Sequence, residues 1–93
     1  MTSYIEVNFG RVGHDPSIES AIHRWVARFE AMGFPVQRAT AGVEPGSRHR
    51  TAISLTLVLT DGTSRSAATT HTDAYVAVSD AFRLVRQQLL VVS

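Results

Sequence analysis

Five places in the sequence combine residue types that do chemistry: the pairs Arg24/Arg28 and Arg83/Arg86, the run Arg48-His49-Arg50, and two histidine–aspartate pairs, His14-Asp15 and His71-x-Asp73. A guanidinium is a planar, permanently charged fork that fits phosphate oxygens and guanine edges. Residues four apart on a helix share a face, so Arg24 and Arg28 act together if that stretch is helical. The same arginines also make ordinary solvated helix surface, and near a helix C-terminus Arg83 and Arg86 complement the dipole. The histidine–aspartate pairs invite a metal or acid–base reading. Each stands just before a helix-like stretch, however, where the aspartate already suits an N-cap. Zinc also wants three or four convergent ligands, and no HxxxH-type pair supplies them. Neither a Gly-x-Ser-x-Gly elbow nor a glycine-rich phosphate loop occurs. Cysteine is absent, which removes disulfides, thiolate metal sites and a thiol nucleophile. The expectation is a protein with no catalytic residue, no metal and no cofactor, whose arginines meet a partner.

Composition narrows the partner only a little. All nine basic residues are arginine, set against eight acidic ones, for a net charge of +1. No strong global field pulls the chain toward nucleic acid. A codon preference for arginine explains the absence of lysine more simply than a need for phosphate contacts, since surface arginines are ordinary. The 93 residues, 44% of them hydrophobic, fit one folded domain spanning 1–93. No apolar run approaches the ~18–20 residues that cross a bilayer, and MTSYIEVNFGR does not read as a secretion signal. The expected location is cytoplasmic, with no membrane partner.

The elements that position these residues follow from periodicity. Tyr4 to Gly10 alternates, with Ile5, Val7 and Phe9 on one side and Tyr4, Glu6 and Asn8 on the other, as in a half-buried strand. Asp15 and Pro16 suit the cap and first position of a helix whose stripe is Ile18, Ala21, Ile22, Trp25, Val26, Phe29 and Met32. On that stripe Trp25 and Phe29 read as core, not as a base-stacking platform. Gly33 suits a left-handed stop, and Pro35 prevents resumption. Val36 to Glu44 reads as a strand with a small-residue side, Ala39, Ala41 and Val43, lying under the large residues of the helix. Pro45-Gly46-Ser47 is a turn extended by the basic tip Arg48–Arg50. Ile53, Leu55, Leu57 and Leu59 then define the strongest strand. Asp61-Gly62 predicts a two-residue hairpin turn that sets Leu57 opposite Ser66 and Leu55 opposite Ala68. Ser64 to Thr70 is thin and polar, suited to a sheet edge. Finally Thr72 or Asp73 caps a helix with the stripe Tyr75, Val78, Phe82, Val85 and Leu89, with Asp80, Arg83, Arg86 and Gln87 opposite. The expected class is α+β, β-α-β-β-β-α, a four-stranded mixed sheet with two helices on one face.

That order, with several stretches of spelling, resembles the ribosome hibernation-promoting factors, also called ribosome-associated inhibitor or protein Y, in their short form. DAYVAVSDAFRLVRQQL is similar to the family's last helix, which opens on Asp, one residue and Tyr, continues through a small-apolar-Asp cluster and closes on a basic-Gln-Leu run. VEPGSRHR resembles the basic, His-containing turn after the second strand, and LTLVLTDG the strand and turn that follow. The resemblance covers about residues 4 to 90. It implies a non-enzymatic factor that binds the small ribosomal subunit near the decoding centre. There it occludes the messenger and transfer RNA channel in stressed cells through basic side chains on ribosomal RNA phosphates. Carried over by position, Arg83 and Arg86 match basic sites of the last helix and Arg24 and Arg28 those of the first. Arg48, His49 and Arg50 fall in the basic loop.

This chain departs from the family in charge. Asp15, Glu19 and Glu30 accompany the first helix, and Asp73 and Asp80 the last. The alternative is a protein-interaction or regulatory module of the same fold with most of the RNA face lost. It would dock through the apolar Leu90-Val91-Val92 end or pair into a homodimer through a sheet edge.

Overall fold

The computed structural model describes residues 4–91. Its elements are β1 (Tyr4–Phe9), α1 (Pro16–Ala31), β2 (Val36–Pro45), β3 (Thr51–Leu59), β4 (Ser64–His71) and α2 (Ala74–Leu90), with a tight turn at Ser47–His49. The expected order and class are therefore found. The sheet order is β1-β2-β3-β4: β1 pairs parallel with β2, and the remaining pairs are antiparallel. Of the apolar end, Leu90 and Val91 are exposed, while Val92 lies outside the described residues. No described helix is long and apolar enough to cross a membrane.

Each helix starts where an aspartate accepts the first free N–H groups. Asp15 accepts from Ser17 and Ile18 at 3.0 and 3.4 Å, and Asp73 from Tyr75 and Val76 at 2.9 and 3.4 Å. Gly33 closes α1 at φ 96°, a conformation that costs glycine little. Both helices lie on one side of the sheet, α1 over β2 and α2 over β3 and β4. Between them and the sheet sits one apolar cluster. Ile22, Val26 and Phe29 of α1 and Val78, Phe82 and Val85 of α2 meet Ala39, Ala41 and Val43 of β2 and the β3 residues Ile53, Leu55, Leu57 and Leu59. The small β2 side chains leave room for a cluster of rings: Phe29 meets Phe82 edge-on at 5.5 Å, and Trp25 stacks on Phe82 at 5.5 Å and 9°.

Three expectations need correction. Tyr75 and Met32 are 47% and 46% exposed and do not belong to the apolar stripes. Trp25 is only partly buried at the rim of the core. The third concerns the last hairpin, whose register is one residue from the expected one: Leu57 faces Arg65 and Leu55 faces Ala67, not Ser66 and Ala68. The link is a three-residue loop, Thr60-Asp61-Gly62. Gly62 N–H donates to Leu59 carbonyl at 2.9 Å, and Leu59 N–H to Thr63 carbonyl at 2.8 Å. With Gly62 at φ 91°, this is a turn followed by a left-handed bulge, which Thr-Asp-Gly suits better than a two-residue turn. Asp61 accepts the Thr63 N–H at 2.9 Å, and that bond is the chief cause holding its carboxyl below the ordinary carboxylate range. Because side chains alternate, the one-residue shift exchanges the faces of β4. Arg65, Ala67 and Thr69 therefore stand on the helix side. A second irregularity, at Gln37, breaks the β2 register between Val36 and Arg38. It returns Val36 to the core beside Leu59, while Arg38 stays on the open face.

Candidate nucleic-acid interface

The sheet topology sorts the seven candidate side chains into two sets. β1 and β2 run together, so α1 begins at the end of the sheet where β2 turns into β3. α2 begins there too, after β4 returns. The helices consequently run parallel, both N-termini near the Ser47–His49 turn and both C-termini near the β3–β4 turn. Pro35 marks that far end, its carbonyl accepting the Thr60 N–H at 2.9 Å. Arg24 and Arg28 lie in the second half of α1, Arg83 and Arg86 in the second half of α2, and all four are exposed. Arg48, His49 and Arg50 are exposed at the opposite end of the sheet. At ~1.5 Å per residue, Arg83 lies roughly 14 Å along α2 from its first turn. The seven residues thus form a helical set of four and a turn set of three.

Arg24 and Arg28 border a groove between the helices, together with Ala21, Trp25, Tyr75 and Ser79, enclosing about 260 Å³. A helix turns ~100° per residue, which places Arg86 on the same flank of α2 as Tyr75 and Ser79, facing α1. Arg83 points away from the sheet. The Arg28 guanidinium sits 4.6 Å from the centre of the Trp25 ring. Phe82, fully buried, backs that ring, and Arg28, exposed, covers it from the solvent side. The ring contact thereby places the Arg28 guanidinium at the groove margin.

In the second set, Arg48 and His49 are the corner of the hairpin and not an appendage of it. Arg50 N–H donates to Ser47 carbonyl at 3.2 Å, and Arg48 and His49 have φ of 57° and 62°. Positive φ at both central positions defines the mirror-image turn that fits the twist of a hairpin and that Asn-Gly fills most easily. Bulky residues there carry backbone strain. The histidine–aspartate pairs have local work: His14 Nε2 contacts Glu19 Oε1 at 2.8 Å, and Asp73 N–H donates to His71 Nδ1 at 2.9 Å. Among the described residues no three His, Asp or Glu side chains converge on a metal position.

Two groups escaped the sequence reading. Tyr75 joins the groove because its flank of α2 faces α1 above the core. The three-residue spacing between Tyr75 and Val78 concealed this, since it fits the core stripe as well as its border. Arg65 reaches the helix side only through the register shift and lies with Leu84, Gln87, Gln88 and Val91 along the other flank of α2. The signal for it was Gly62 in the third place of Thr-Asp-Gly.

This arrangement of sheet, paired helices and exposed arginines defines the class of fold. No family model matches the chain, and no curated protein matches it in sequence. Among solved structures, the N-terminal domain of Thermus thermophilus protein Y superposes with a TM-score of 0.78 at 14% identity, over 96% of this chain and 96% of that one. A ribosomal subunit interface protein from Coxiella burnetii gives a TM-score of 0.79 at 14% identity, over 92% of each chain. Likeness at that identity establishes a shared fold.

Proposed function

We propose that this chain is a ribosome-associated factor of the hibernation-promoting kind. It acts as a single domain in the cytoplasm, binds small-subunit ribosomal RNA near the decoding channel and inhibits translation by occlusion, without chemistry of its own. The observation that carries the reading is the placement of Arg24, Arg28, Arg83 and Arg86 on the outer surface of the helix pair. That fold is shared with protein Y and with a ribosomal subunit interface protein. Guanidiniums on a rigid helical surface supply phosphate contacts whose spacing is fixed before binding. Arg48, His49 and Arg50 add contacts from the hairpin corner.

Co-sedimentation with purified small subunits at low salt tests the proposal. The protein is expected to travel with the subunits, and Arg83→Glu combined with Arg86→Glu is expected to leave it at the top of the gradient with an unchanged melting curve. Wild-type protein that stays at the top overturns the reading. It would favour the protein-interaction module, for which the exposed Leu84, Leu90 and Val91 offer an apolar surface and the β1 and β4 edges a place for a second copy.

A further inference from the structure

The groove between α1 and α2 has more than a phosphate contact needs. A purely electrostatic surface requires guanidiniums and no aromatic wall. Here Tyr75 stands nearly half exposed, Ser79 lines the same flank one turn further along α2, and Arg24 and Arg28 form the opposite bank. Three layers are already stacked at the margin: Phe82 in the core, Trp25 parallel to it at 9°, and the Arg28 guanidinium over Trp25 at 4.6 Å. The solvent side of the Arg28 guanidinium is the next surface outward, and a flat aromatic body can stack on it. The enclosed space, about 260 Å³, falls below the ~300–1,000 Å³ of sites that enclose drug-sized ligands. That volume is on the scale of a single base and not of a duplex.

We infer that this groove is a site for one unpaired RNA nucleotide, its base stacked between the Arg28 plane and the Tyr75 ring and its phosphate held by Arg24. The inference rests on reading the helix arginines as RNA ligands, and it specifies that RNA chemically. A paired A-form stem turns its base edges inward and offers a protein shape, phosphates and 2′-hydroxyls. A loop or bulge nucleotide instead presents a free π-face, which any of the four bases can supply. Stacking therefore selects unpaired RNA over paired RNA with little choice of sequence.

Trp25, the one tryptophan, borders the groove, so its fluorescence reports occupancy directly. Short oligo(A), the same strand annealed to oligo(U), adenosine 5′-monophosphate and ribose 5-phosphate are titrated into the intact protein at low salt. Oligo(A) is expected to shift the emission and to bind more tightly than the duplex. Adenosine 5′-monophosphate is expected to compete better than ribose 5-phosphate. Tyr75→Ala is expected to weaken oligo(A) binding about 5–160-fold, the range for losing one stacked base, whereas Tyr75→Phe retains it. Duplex bound as tightly as single strand, equal competition by the two monophosphates, or a Tyr75→Ala protein with wild-type affinity would each overturn the inference. Sedimentation of the same variants keeps the two readings apart. Subunit binding indifferent to Tyr75 leaves the ribosomal proposal standing and this one fallen. Oligo(A) binding by a protein that ignores subunits does the reverse.

Discussion

Phe82 joins the core to the candidate site: it touches Phe29 on one side and supports Trp25, and through it Arg28, on the other. Phe82→Ala would remove both ring contacts and leave a cavity. Urea denaturation is expected to show a loss of about 3–5 kcal/mol. A loss below about 1 kcal/mol would mean that the rings repack without it. The buried side chains were legible individually, because Ile22, Phe29, Val78, Phe82 and Val85 recur at helical spacing and each is enclosed. Tyr75, Met32 and Trp25 were not. They occupy the border of a stripe, where spacing is the same and only the position of the neighbouring helix decides between core and groove. A sequence states the period of a helix but not the width of the surface that receives it.

Local backbone geometry decides more at the level of elements. The hairpin corner places Arg48 and His49 in left-handed conformations, which cost roughly 1–2 kcal/mol per residue for a side chain with a β-carbon. Arg48→Asn combined with His49→Gly is expected to raise stability by about 1–2 kcal/mol in urea denaturation. It is also expected to weaken subunit binding, as a corner that trades stability for contact should. A double variant that gains stability and binds as well as wild type would show that the strain serves no contact. Strand and helix order was readable throughout, since each element has its own cap, stop or alternation. The β3–β4 register was not, because Asp-Gly supports both a two-residue turn and a three-residue one ending in a bulge. That single residue decides whether Arg65 faces the helices or the open sheet. The Gln37 irregularity has a similar origin: Val36 and Arg38 have the same parity in sequence, and only the partner strand reveals that one of them is turned inward.

Across the whole molecule, charge is close to balanced at +1, and six of the nine arginines are divided between the helix pair and the far hairpin corner. Binding that draws on roughly 4–6 phosphate contacts falls by about 10²–10³-fold as salt rises from about 50 to 200 mM. A filter-binding series with small subunits across that range is expected to give this slope. A flat response would point to an apolar partner surface and to the interaction-module reading. The family-like spelling of the last helix anticipated the fold that the superpositions display. It did not anticipate how the guanidiniums group, since grouping depends on two helices running parallel and on where a hairpin corner falls.

The position of α2 also has a consequence for the chain during its synthesis. It is the last of the described elements, and it supplies Ala77, Val78, Ala81, Phe82 and Val85 to the cover of β3. At ~5–20 residues per second, its 17 residues take about one to three seconds to emerge. Through that interval the leucine row of β3 lacks its cover and the outer edge of β4 lacks the Gln88 side chain that bonds Ser66 carbonyl at 2.8 Å. A nascent chain therefore passes through a brief stage with apolar surface and a strand edge uncovered, the kind of stage that chaperones protect.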